Sequence, residues 1–153
     1  MQQITDLLKR KPFVFLLVSV AYLLAACLIR WGATPTWETA IFFMGGLLGV
    51  YFLDAAEVFF RLTPSPFRSV LFAGLFMLVS FFVVTSSGSF LASGLVLSLY
   101  LTMILWQVGE WQIAHSLDSW FRLWTTPVAK SAQQGAIAAF FVLFILETFL
   151  FIR

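Results

Sequence analysis

Residues 39–60 read TAIFFMGGLLGVYFLDAAEVFF, an apolar run with three glycines and only two acidic residues, both in its last third. A hydrocarbon slab about 30 Å thick takes about 20 apolar helical residues, with about 17 as the lower limit. Inside lipid every backbone N–H and C=O must be satisfied within the segment or within a closed barrel. The run lacks the strict in/out alternation of barrel strands, so it is expected to be a membrane helix.

Four more stretches of the same kind flank it, at residues 13–29, 69–85, 90–108 and 135–152, and no proline interrupts any of them. The expected fold is an all-α integral membrane protein, a bundle of five transmembrane helices over residues 1–153, in one transmembrane domain. Hydrophobic residues make up 61% of the chain and charged residues 10%, well below the roughly 25% of a soluble domain. A net charge of +2 is too small to point to nucleic acid. The connections are short. Gly32 and Pro35 lie in the first, Pro64 and Pro66 in the second, and Gly88 in the third, so consecutive helices are expected to lie antiparallel as neighbours.

Charge placement gives the orientation. With the N-terminus in the cytosol, Lys9, Arg10, Lys11, Arg61, Arg68, Arg122 and Lys130 lie inside, and only Arg30 and Arg153 lie outside. That asymmetry predicts N-in and C-out. Trp31 and Trp37 mark the outer border; Trp106, Trp111, Trp120 and Trp124 mark the inner border of the fourth span.

On a helical wheel, residues 39–60 show two faces that both read as buried. One carries Asp54, Glu57 and Arg61, with Glu57 and Arg61 in the favourable i,i+4 order. The other carries Gly45, Gly49 and Ala56, a small-residue stripe that lets helices approach closely in lipid. This helix is therefore expected inside the bundle or at a subunit interface.

Residues 110–125 place Ile113, Leu117, Trp120, Phe121 and Trp124 on one stripe, with His115, Asp118, Ser119 and Arg122 opposite. Such a segment is expected to be an amphipathic helix in the cytoplasmic interface, with Trp111, Trp120 and Trp124 as anchors. A straight continuation of the fourth helix into the cytosol is the other reading.

A charge at the bilayer centre costs on the order of 3 kcal/mol, so intramembrane acids are usually paired or functional. Antiparallel folding is expected to gather Asp54, Glu57, Arg61, Glu110, His115, Asp118 and Arg122 at the inner leaflet, either as interfacial salt bridges or as an ion-handling group. Glu147 lies apart, near the outer side, as a snorkelling charge, a helix–helix hydrogen bond or part of a permeation path.

Leu24-Ala25-Ala26-Cys27 resembles a lipoprotein cleavage box, although Leu28, Ile29 and Arg30 follow in place of a polar tether. A single Cys excludes an internal disulfide. One His and no HExxH, GxSxG or paired-aspartate motif leave a metal-dependent enzyme built on the acidic group as a remote reading, and no cofactor is expected. The expected function is non-catalytic and transport- or channel-like, in a homo-oligomer of the cell membrane whose environment is the lipid bilayer. The alternative is a scaffold or accessory subunit docking a partner through residues 110–125.

Overall fold

The computed structural model describes residues 13–61 and 65–153. Five helices fall on the five apolar stretches: α1 (Phe13–Trp31), α2 (Trp37–Phe60), α3 (Val70–Ser86), α4 (Phe90–Ala114) and α5 (Lys130–Ile152). No strand occurs among the described residues. Four of the helices are long and apolar enough to cross a membrane; α3, with 17 residues, is the short one. Lys9, Arg10, Lys11 and Pro64, on which part of the charge and loop argument rests, lie outside the described residues.

Helix boundaries follow capping chemistry more than hydropathy. Gly32 at φ +73° closes α1, its N–H bonded to Leu28 O at 3.0 Å. Thr36 and Thr39 then bond reciprocally to open α2, satisfying two donors that the first turn leaves without a carbonyl. Ser69 and Ser89 cap α3 and α4 through the N–H groups of Phe72 and Ala92. At the far end α5 begins at Lys130, five residues before the apolar run, because polar residues continue a helix outside the slab.

The helices alternate in direction. Trp31 meets Phe42 and Leu23 meets Gly46, so α1 and α2 are antiparallel. Gly45 faces Leu91 and Gly49 faces Leu95, so α2 and α4 run parallel. Tyr22 bonds Thr148 and Arg30 lies over Phe151, which makes α1 and α5 parallel. One end of the bundle therefore carries Trp31, Gly88 and Arg153, and the other carries Arg61, Arg68 and residues 115–129.

α4 is the hub and touches all four other helices. Among the described residues α2 and α3 make no helix–helix contact, contrary to the expectation that consecutive helices are neighbours. The reason is α4. Its glycine-mediated approach to α2 fills the space beside α2, and α3 packs instead on α4 and α5.

Two sequence expectations are corrected. The buried residues of α2 are Phe42, Gly45, Gly46, Gly49, Val50, Leu53 and Asp54, one stripe at helical spacing. Gly45 and Asp54 are the two edges of this single broad face, not the centres of two opposed faces, and Met44, Leu48 and Phe52 point outward. Residues 110–125 are not a separate amphipathic helix. Residues 110–114 complete α4, His115 ends it at φ +51°, and residues 118–123 form successive turns. The apolar stripe divides because Leu117 and Trp120 enter the core and Phe121 is half-buried, whereas Ile113 and Trp124 stay outside.

Candidate functional site

At the Arg68 end, the seven residues expected to form one polar group distribute into separate contacts. Asp54 and Glu57 lie one turn apart on α2, both largely buried. Glu57 pairs with Arg68, Oε1 to Nε 3.5 Å. The i,i+4 partner expected for it, Arg61, has left the helix: it sits at φ +50° and gives only its backbone N–H to Glu57 O. A side chain in the left-handed region no longer projects along the helix face from which Glu57 would meet it. The Arg68 guanidinium in turn stacks over Trp106 of α4 at 4.3 Å.

Glu110, at the end of α4, accepts from Ser119 Oγ and from Trp120 Nε1, the latter at 2.9 Å. Both donors lie in the turns of residues 118–123, so the carboxylate draws the chain back over the helix end. Trp120, expected at headgroup level, is consequently buried in the bundle. Its carbonyl accepts from Val70 N–H at 3.0 Å, fixing the turns to the start of α3. Arg122 donates to Ser65 O, at 2.6 Å, and does not pair with Asp118.

Asp118 is held by a residue that the sequence reading missed. Gln133, fully buried on α5, donates from Nε2 to Asp118 Oδ1 at 2.8 Å and to Val128 O at 3.0 Å. Its Oε1 accepts Leu117 N–H at 2.7 Å. The amide thus uses both donors and its acceptor. Gln133 was findable: with Phe140, Phe144, Glu147 and Phe151 it forms the buried stripe of α5. These contacts make residues 115–129 a hydrogen-bonded clasp across α3, α4 and α5. On its surface stand Leu123 and Trp124, 64% and 61% exposed, while His115 is an exposed helix terminus. Among the described residues no group of three His, Cys, Asp or Glu side chains is placed to hold a metal ion.

The small residues Gly45 and Gly49 are used within the chain. A Cβ at either would overlap the backbone carbonyl of Leu91 or Leu95, and one at Gly94 would strike Phe42 O. Ser98 Oγ donates to Gly46 O at 2.7 Å across the same seam. The matching Gly94 and Ser98 on α4, four residues apart, were the readable counterpart of the α2 stripe. Ala56 is half-buried.

Glu147 does not snorkel. It is 1% exposed, and its Oε1 accepts from Ser80 Oγ of α3 at 3.0 Å. Its Oε2 has no hydrogen-bond partner among the described residues. The next residue, Thr148, bonds Tyr22 of α1 at 2.9 Å, and Tyr100 donates to Phe140 O at 3.2 Å. Polar side chains from α1, α3, α4 and α5 are thereby placed inside an otherwise aromatic interior. Cys27 is buried within α1.

No protein-family model, curated protein or solved structure matches this chain. The fold and the polar end define a helical bundle with membrane-spanning character.

Proposed function

We propose that this chain is a five-span protein of the cytoplasmic membrane, N-in and C-out, acting without catalysis as a scaffold that presents residues 115–129 to a partner. At 1.5 Å per residue α3 reaches about 25 Å, enough to cross with slight local thinning. The positively charged residues favour the Arg68 end as the cytosolic one.

The observation that carries the scaffold reading is the commitment of the carboxylates at that end. Glu110 and Asp118 each accept a hydrogen bond from another segment, and Glu57 faces the Arg68 guanidinium in a 3.5 Å ion pair. An ion path needs groups that exchange partners, whereas a docking platform needs a fixed shape, and the clasp supplies one without a helix. Exposed Trp124 on fixed turns is the kind of anchor interfaces use, and exposed Leu123 beside it adds apolar surface. With Gly45 and Gly49 occupied by α4, self-association loses its sequence argument and a different subunit becomes the favoured partner.

One observation favours a second reading, transport of protons or small cations: the buried Glu147 carboxyl has an oxygen without a hydrogen-bond partner. The two separate in proteoliposomes. Absence of proton and cation flux from intact wild-type protein, together with a stoichiometric partner that is lost in Leu123→Glu and Trp124→Glu, supports the scaffold. Flux abolished by Glu147→Gln replaces it with transport.

A further inference from the structure

At the Arg68 end a cleft of about 350 Å³ opens between the start of α1 and the end of α4, lined by Phe15, Arg68, Trp106, Gly109, Glu110 and Ile113. Its chemistry is divided. Arg68 stands on one wall, 45% exposed, and Glu110 lines the same space. Among the described residues the Arg68 guanidinium has only the 3.5 Å pair through Nε to Glu57 and the face of Trp106. Its two terminal nitrogens are left as an open fork, the geometry that matches two oxygens of a phosphate. Glu110 receives one donor on each oxygen and retains lone pairs for a further N–H. Phe15 and the 86% exposed Ile113 form apolar sides. Gly109 keeps the floor open: a Cβ there would meet only the Phe15 ring, at 3.9 Å.

We infer that this cleft binds the headgroup of an aminophospholipid, with the phosphate on Arg68 and the ammonium on Glu110. A cation and an anion in one cleft suit a zwitterion and disfavour an anionic headgroup, which would meet Glu110 unpaired. The apolar sides suit the first carbons of the acyl chains, and the place in the bundle, where helix ends meet polar turns, is headgroup level. The inference rests on membrane embedding and is independent of whether the clasp is a scaffold.

The test is native mass spectrometry of the full-length protein in detergent, titrated with phosphatidylethanolamine, with phosphatidylglycerol, and with soluble glycerophosphoethanolamine. Wild type is expected to hold phosphatidylethanolamine at least about fivefold more tightly than phosphatidylglycerol, and the soluble headgroup far more weakly than the lipid. Arg68→Met is expected to weaken the lipid about tenfold, as loss of a charged hydrogen-bonding fork does. Glu110→Gln is expected to erase the preference between the two lipids. Gly109→Leu fills the cleft with both charges retained and is expected to weaken binding about tenfold; it carries the test if Arg68→Met fails to fold. Unchanged binding in Gly109→Leu, equal affinity for the two lipids, or equal binding of the soluble headgroup overturns the inference. None of these outcomes bears on partner docking through Leu123 and Trp124, which is read separately.

Discussion

Ser80 of α3 and Glu147 of α5 are joined by a 3.0 Å hydrogen bond in a part of the bundle that solvent does not reach. The bond is a fastener between two helices that are not consecutive. It places a carboxyl where an unpaired charge would be costly. Ser80 also donates to Met77 O of its own helix, so its hydroxyl is shared between a local and a long-range acceptor.

Removing the acid while keeping its shape should therefore cost little. Glu147→Gln is expected to be as stable as wild type in a detergent unfolding titration, because the amide oxygen still accepts from Ser80. Ser80→Ala is expected to lose about 1 kcal/mol, the scale of a side-chain hydrogen bond between membrane helices. A large loss in Glu147→Gln would mean that the ionised carboxylate itself holds the bundle together.

The α2–α4 seam gives a sharper expectation. Gly45→Ala, Gly49→Ala and Gly94→Ala each drive a methyl into backbone carbonyls that have no rotamer by which to move away. Each is expected to destabilise by about 1–3 kcal/mol or to force the helices apart. Gly74→Ala faces open space and is expected to be neutral or slightly stabilising, since alanine is the better helix former. Thermal denaturation followed by circular dichroism ranks the four variants.

Gln133 carries the clasp. Gln133→Ala strands Leu117 N–H and releases Asp118 and Val128 O, and is expected to cost about 2–3 kcal/mol locally. The helices should persist while residues 115–129 become open to protease. Limited proteolysis in detergent, with cleavage mapped by mass, reads this directly; unchanged protection would show that Glu110 and Val70 suffice.

His115 was a candidate ligand in the sequence, yet its structural position is a left-handed helix terminus. Glycine adopts that conformation without the steric cost of a Cβ. His115→Gly is expected to stabilise the protein by about 1 kcal/mol and leave lipid and partner binding unchanged. Loss of either binding in a well-folded variant would return a functional role to the imidazole.

The parts of this fold that are legible in sequence are those set by one helix and its solvent. Apolar run length located the five described helices, and Gly32 and Gly88 marked two of the connections between them, while the caps Thr36, Ser69 and Ser89 came only with the structure. The Gly45–Gly49 stripe announced close packing but not the partner, because a wheel gives an angle and not a neighbour. For the same reason Gly45 and Asp54 looked opposed when they border one face. Residues 115–129 misled for a different cause. Their apolar spacing is helical, but Glu110 and Gln133 hold polar groups of this segment through hydrogen bonds from other helices, which periodicity within the segment cannot report.

The most direct test is topological. In inverted and right-side-out vesicles, single cysteines at Ser119 and Ser87, in a Cys27→Ala background, are treated with a membrane-impermeant maleimide. The bundle proposed here predicts that Ser119→Cys labels only from the cytosolic side and Ser87→Cys only from the opposite side. Labelling of both from one side would mean that α4 does not cross the bilayer. With the N-terminus in the cytosol, labelling of Ser87→Cys from the cytosolic side with Ser119→Cys from the opposite side would mean that α3 does not; either result contradicts the five-span arrangement on which the rest is built.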